Sequence, residues 1–262
     1  MKIAVCIRRV ADTAEADVKV NDTGKGIVED RLVYTINEAD NYALEEALLL
    51  KEKQGAEVVL VTVGPKESEE VLRMGLAKGA DQAVRIDDSG LAGQDAVALA
   101  RVLAAQLKDK GFDLILAGCI ATGVEDSQVG PALAQLLGLP HAAYTIKLEP
   151  AGDRLVVKRE LEGGLLDVKE TVLPCVLSIQ TGGNTPRYAS ILGIKRARSK
   201  PLETLEAAGL GLDAGLVGEA GSKTALLRLY APESAGAAEM IEGDTAEKVA
   251  RLAEIIRDRG LA

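Results

Sequence analysis

Short apolar runs alternate with amphipathic helical patterns through the first 140 residues, and this rhythm constrains the fold more than any other feature. Lys2–Ile7, Val58–Val63, Ala83–Ile86 and Leu114–Ala117 have the length and apolar continuity of buried parallel strands. Between them lie helical segments. The stretch NEADNYALEEALLLKEK places Tyr42, Leu44, Ala47 and Leu48 at helical spacing, with Asn37 as N-cap and Asp40 in the first turn. Glu67–Lys78 reads as a helix ended by Gly79, and the chain from Gly93 carries a longer amphipathic helix through Val97, Leu103 and Leu107. Strands and helices in this order predict an α/β fold: a doubly wound, mainly parallel sheet with flanking helices.

In such sheets ligands sit beyond the carboxyl ends of the strands, at the switch point. Those ends fall at Cys6–Arg9, at Val63-Gly64 and in the stretch DLILAGCIATGVEDSQVG, residues 113–130. That stretch joins a strand to a Gly-containing loop and then to the apolar helical pattern of Val129, Leu133, Leu136 and Leu137, with Glu125, Asp126 and Ser127 as helix-start chemistry. A loop of amides and a helix N-terminus suit a phosphate. Asn37, opening its own helix, faces the same crevice in this reading. The chain has no Walker lysine and no GxGxxG, so an ordinary strand-to-helix connection stays open for the stretch taken alone.

After residue 140 the rhythm changes. Ala142–Leu148, Leu155–Glu160, Leu166–Val172 and Cys175–Ile179 read as strands with hairpin-like links, a small β-hairpin extension of the sheet. A Gly/Pro-punctuated loop follows, and then a short helix. Arg187, Lys195, Arg196, Arg198 and Lys200 are basic there, with no acid from Asn184 to Lys200. On a chain of net charge −9 that asymmetry marks a candidate docking surface, against the plainer reading of a solvated basic loop. Leu205–Gly221 is Gly/Ala-rich and reads as an extended arm, suited to wrapping onto a partner subunit or equally to folding back on its own sheet. Leu226–Tyr230 reads as a last strand, and Thr245 caps a final helix. The organisation expected is a nucleotide-binding α/β domain over 1–200, the candidate docking loop at 182–200 included, and an arm plus helix over 201–262.

Composition narrows the chemistry. The negative net charge argues against nucleic-acid binding, and no apolar run reaches membrane-spanning length. The start MKIAVCIRRV reads as a strand rather than a signal peptide, so the address expected is the cytoplasm. Cys6, Cys119 and Cys175 lack metal-ligand spacing and lie in apolar runs, as buried thiols do; His141 is the only histidine, and a packing residue. Neither a metal site nor a catalytic constellation is expected. With no Trp and one Phe, the chain has little with which to hold a flavin ring by itself.

Residues Met1–Val10, the NEADNYALEEALLLKEK helix, VTVGP with GLAKGAD, VVKRELEGGLLDVKETVLPCV and above all NTPRYASILGIK give the chain its likeness. It resembles the beta subunits of electron-transfer flavoprotein over nearly its full length. The resemblance implies half of a heterodimer whose alpha subunit holds most of the redox FAD. Electrons would pass from a flavin acyl-CoA dehydrogenase to a quinone reductase or other downstream acceptor. It also implies a beta-subunit nucleotide, AMP in ordinary carriers and a second FAD in electron-bifurcating ones. By motif position that pocket would comprise Cys6, Asn37, Val63, Gly118, Cys119, Ala121, Thr122, Gly123, Asp126, Ser127, Gln128 and Val129. Partner contacts would fall on Arg187, Tyr188 and Ile191 of the recognition loop and on Glu160, which helps reposition the flavin domain. Two departures bear on the nucleotide. Cys119–Gly123 replaces the family's usual loop residues, acidic and basic side chains among them, and Ala96 stands where a hydroxyl residue is usual. The reading leans to AMP, with FAD or an empty pocket open. A stand-alone nucleotide-binding or nucleotide-hydrolysing α/β protein is the alternative from a different class.

Overall fold

A computed structural model describes all residues except 15, 17, 233–235, 237 and 262. It divides into two compact units, Met1–Arg228 and Leu229–Ala262.

The first unit is built on a sheet of nine strands. They are β1 (Lys2–Cys6), β4 (Glu57–Val63), β5 (Gln82–Asp87), β6 (Leu114–Gly118), β7 (His141–Ala151), β8 (Arg154–Glu160), β9 (Leu166–Val172), β10 (Cys175–Ile179) and β11 (Leu202–Glu206). Their order is β11-β5-β4-β1-β6-β10-β7-β8-β9. Every pair from β11 to β7 is parallel, while β7-β8 and β8-β9 are antiparallel. Two further strands, β2 (Arg9–Ala11) and β3 (Tyr34–Ile36), form a separate antiparallel pair. The sheet is thus mainly parallel and doubly wound, as the alternation of elements predicts.

Helices cover both faces. On one lie α1 (Glu38–Gln54) and α2 (Glu69–Lys78), whose Leu44, Leu48, Leu72 and Leu76 pack with Ile3, Leu60 and Leu116. On the other, α3 (Ala96–Leu107) and α4 (Val129–Leu137) pack Leu103, Leu107 and Leu133 against Ala4, Val61 and Ile115. Alternate residues of the central strands serve the two cores, which is why these strands read as unbroken apolar runs. The short helix α5 (Ile191–Ala197) lies on α2.

Strand β7 joins the two ladder types, and it is bulged where they meet. Its pairing shifts register near Thr145 on both sides, and Tyr144 takes a left-handed backbone with φ +53°. Three groups attach there. Arg159 Nε donates to Ala143 O (2.8 Å), and Gln180 N donates to Thr145 O (2.9 Å). Gly183 packs so close to Ile146 O that a Cβ would lie 1.7 Å from it.

Three local readings change. The chain after Leu205 is not an extended arm but follows the other course open to it, folding back on its own sheet. β11 carries the sheet to Glu206, and two 3-10 turns (Ala207–Leu210 and Ala214–Leu216) and α6 (Gly218–Gly221) then fold onto α3. Arg101 on α3 holds them by donating to Leu216 O and Gly221 O at 2.8 and 3.0 Å, and Leu210 and Val217 join the core beneath. Leu226–Tyr230 forms no strand among the described residues, and Leu226 and Leu227 are exposed. In the second unit, α7 (Thr245–Asp258) is capped by Asp244 rather than Thr245. The Asp244 carboxylate accepts from Glu247 N and the Glu247 carboxylate accepts from Asp244 N, a reciprocal capping box.

Candidate functional site

The ends of β1, β4 and β6 open onto a cavity of about 310 Å³, closed by the starts of α3 and α4. It sits where the chain leaves β1 in one direction and β6 in the other, the switch point of the sheet. Val61, Leu99, Leu103 and Ala117 give it an apolar wall. Gln128 and Val129, at the start of α4, line another side. The first-turn amides of a helix have no intrahelical acceptor, and Pro131 has no N–H, so Val129 and Gly130 supply the amides of that turn. These amides and the helix dipole favour an anion.

The loop between β6 and α4 is held from below by α1. Asn37 Nδ2 donates to Ile120 O (2.8 Å) and Asn37 Oδ1 accepts from Thr122 N (3.1 Å). Asp40, buried one turn later, accepts from Gly118 N through Oδ1 and from Arg8 N through Oδ2, both at 2.8 Å. One carboxyl thereby ties the end of β6 to the chain leaving β1. The contact demands glycine at 118, since a Cβ there would lie 2.4 Å from Asp40 Oδ1 and 2.8 Å from Asp40 N. Burial pushes the Asp40 carboxyl up to about 7, against the pull of its two backbone donors.

Burial also lifts the thiols. Cys6 is raised to about 12, with Asp40 adding to the effect, and Cys119 to about 11. Neither is a thiolate near neutrality, and Cys119 Sγ donates to Gln180 Oε1 at 3.1 Å. All three cysteines are free and buried. His141 Nε2 lies 2.9 Å from Ser178 Oγ, and desolvation followed by Arg159 keeps its pKa low. Among the described residues no group of His, Cys, Asp and Glu could hold a metal.

The cavity gathers most of the pocket residues expected from sequence: Cys6, Val63, Gly118, Cys119 and Ala121 on the strand side, and Asp126, Ser127, Gln128 and Val129 toward α4. Asn37 braces the loop from behind the wall, while Thr122 and Gly123 form its exposed tip. The helix start expected at Glu125–Ser127 moves to Val129. Glu125 and Ser127 have φ of +52° and +53°, so the backbone turns left-handed before the helix begins, and Asp126 Oδ1 accepts from Gln128 N instead of capping it.

Sequence reasoning passed over three residues here. Asp40 is one; its signal was an acid in the first turn behind Asn37. Arg9 lines the cavity with its guanidinium stacked on the Tyr34 ring at 3.4 Å. Its Nε lies 3.9 Å from Glu70, too far for a hydrogen bond, and is buried without an acceptor. Gln94 lines the wall before α3, with its Oε1 buried and likewise unpartnered.

A second surface lies at α5. Tyr188 is 96% exposed and Ile191 78%, with Leu192 and Ile194 also exposed. Of the five basic residues seen there, Arg187 and Lys200 point into the fold. Arg187 pairs with Glu45 and Glu52 on α1, and Lys200 Nζ donates to Leu76 O and Ala80 O. Lys195, Arg196 and Arg198 remain exposed. Glu160, at the end of β8, is exposed beside Arg159, which bonds to Asp167 at 3.2 Å.

Similarity to known proteins follows the same lines. A family model described as the electron transfer flavoprotein domain matches residues 25–210. The chain is 41% identical over 262 residues to the electron transfer flavoprotein subunit beta of Methylophilus methylotrophus, covering 98% of each. It is 39% identical to the subunit of the same name from Bacillus subtilis, again covering 98% of each. The caffeyl-CoA reductase-Etf complex subunit CarD of Acetobacterium woodii is 36% identical, with 95% of each chain covered.

Proposed function

The chain belongs to the beta-subunit family of electron transfer flavoproteins, and from that premise we propose that it is one half of a heterodimeric electron carrier. Its partner would be an alpha subunit that holds most of the FAD. Electrons would run from a flavin acyl-CoA dehydrogenase to a downstream acceptor such as a quinone reductase, in the cytoplasm. No helix of the described chain is long and apolar enough to cross a membrane.

The observation that carries the reading is the switch-point cavity. At about 310 Å³ it is at the small end of ligand pockets, roughly 300–1,000 Å³. That favours a nucleoside monophosphate over a dinucleotide, and AMP over a second FAD. Its residues fit such a ligand. The amide of Val129 at the start of α4 would take the phosphate, with Arg8 and Arg9 as nearby cations, and Val61, Leu99 and Leu103 would enclose the base. Asn37 would fix the loop from behind the wall, while Asp40 and Gly118, which line the cavity, would tie the loop beside the ligand. The contribution of this nucleotide is structural.

Electron exchange would be supplied by the FAD when bound. This chain's own residues would do the positioning. Exposed Tyr188 and Ile191 would enter an apolar pocket of the dehydrogenase, with Lys195, Arg196 and Arg198 meeting acidic groups at its rim. Glu160 would face the flavin domain of the partner subunit. The packing on the alpha subunit expected of residues 201–262 would fall to α7, since residues 202–221 join the sheet and α3.

Co-expression with the candidate alpha subunit, purification and release of bound nucleotides by denaturation test the proposal. One FAD and one AMP per heterodimer are expected. Two FAD would overturn the AMP assignment. A chain that forms no complex and carries no flavin would overturn the carrier reading.

A further inference from the structure

The basic loop before α5 is fastened to α1 by a cluster of bonds unusual for an exposed segment. Arg187 donates through Nε to both oxygens of Glu45 (3.1 and 3.0 Å) and through a terminal nitrogen to Oε1 (2.8 Å). Its backbone N–H donates to Glu45 Oε2 at 3.0 Å, and its other terminal nitrogen pairs with Glu52. Three residues earlier, Asn184 Nδ2 donates to Glu46 Oε1 (2.8 Å) and to Tyr42 O (3.1 Å). The Glu45 side chain is only 6% exposed, so its charge depends on Arg187 for compensation. The far end of the segment is fixed as well. Arg73 on α2 donates to Ala197 O and Lys200 O at 2.7 and 2.9 Å.

Between these two anchorages the side chains turn outward. Tyr188 follows Arg187 directly, and Ile191 opens α5 behind the Ser190 cap, whose Oγ accepts from Gly193 N at 3.0 Å. An exposed apolar side chain on a free loop loses conformational freedom when it docks; one on a braced loop has lost that freedom already.

We propose that Arg187 is a positioning residue: it does not meet the partner but locks to Glu45 and Glu52, and so holds Tyr188 and Ile191 in the docking geometry. The proposal rests on the docking reading given above and divides the basic cluster in two. Arg187 and Lys200 build the loop, while Lys195, Arg196 and Arg198 face outward. Glu45 is then as important to docking as Arg187, although it is buried on α1, 142 residues away in sequence.

The test uses the reconstituted heterodimer as electron acceptor for a flavin acyl-CoA dehydrogenase. Wild type, Arg187→Gln, Glu45→Gln, the double variant and Ile191→Ala are compared at several salt concentrations. Amide hydrogen exchange across residues 184–192 is followed in the same samples. The expected result is that Arg187→Gln, Glu45→Gln and the double variant raise KM for the carrier to the same extent, about tenfold, with kcat unchanged. Exchange in the loop rises in all three, and the salt dependence of KM stays that of wild type. Two additive single effects, or a flattened salt dependence in Arg187→Gln alone, would show direct contact with the partner and overturn the proposal. So would an unchanged KM in Arg187→Gln and Glu45→Gln while Ile191→Ala raises it. An unchanged KM in Ile191→Ala would overturn the docking reading itself, and the positioning role with it.

Discussion

Asp40 offers the sharpest test of the site's construction. Its carboxyl is held at about 7 in the folded protein against 3.8 as a free group, mainly by burial. An acid whose pKa is raised on folding stabilises the protein in its protonated form. That stability is complete below the unfolded pKa and is lost as pH climbs through the folded one. The full difference corresponds to about 4 kcal/mol, and the part falling between pH 5 and pH 8 to roughly 2.5 kcal/mol. Other carboxylates titrate in the background, so the contribution is isolated by comparison with Asp40→Asn. That variant leaves one of the two amides, Arg8 N or Gly118 N, facing an NH2 group. The resulting cost is about 1–3 kcal/mol at every pH. Urea unfolding of the full chain, followed by far-ultraviolet circular dichroism because the chain has no Trp, gives both stabilities. Wild type should exceed the variant at pH 5, and the gap should narrow by roughly 2.5 kcal/mol by pH 8. A gap that is flat, or that widens with pH, would refute the argument that a desolvated carboxyl ties β6 to β1.

Two further predictions concern the same crevice. Gly118→Ala should destabilise by about 2 kcal/mol or more in the same urea assay, because its Cβ would meet Asp40 N at 2.8 Å and backbone has to move; wild-type stability would remove the steric reason given for the glycine. The thiols of Cys6 and Cys119, raised to about 12 and about 11 by burial, should react with a thiol reagent at pH 8 at least a hundredfold more slowly than in urea-unfolded chain, and equal rates would contradict their burial.

Much of the fold was legible because the central strands carry their own signal. A strand buried on both faces is apolar almost throughout, and Leu114–Ala117 or Cys175–Ile179, with Ser178 its one polar residue, can be little else. The site's position followed from topology, since strand ends converge wherever a doubly wound sheet reverses. What escaped depended on contacts distant in sequence. Leu226–Tyr230 resembles a strand locally, but a strand forms only where another strand pairs with it, which no local pattern reports. Asp40 read as an ordinary first-turn acid because its meaning lies in Gly118, 78 residues away. The five basic residues near α5 look like one surface in sequence, but Glu45 takes Arg187 and the carbonyls of Leu76 and Ala80 take Lys200. The α4 boundary failed for a different reason. Glu125 and Ser127 favour a helix start by type, yet both adopt left-handed backbone.

The bulge in β7 has a consequence for how this chain can vary. Arg159, next to Glu160, and the segment Gln180–Gly183, which leads into the loop bearing Tyr188, are seated on adjacent carbonyls at positions 143, 145 and 146. Their spacing is therefore set by one irregularity, not by two independent placements. A one-residue insertion or deletion between 143 and 146 would shift both seats together. Substitutions along either segment leave the seats in place. The two surfaces are thus free to diverge in composition while inheriting their separation as a unit.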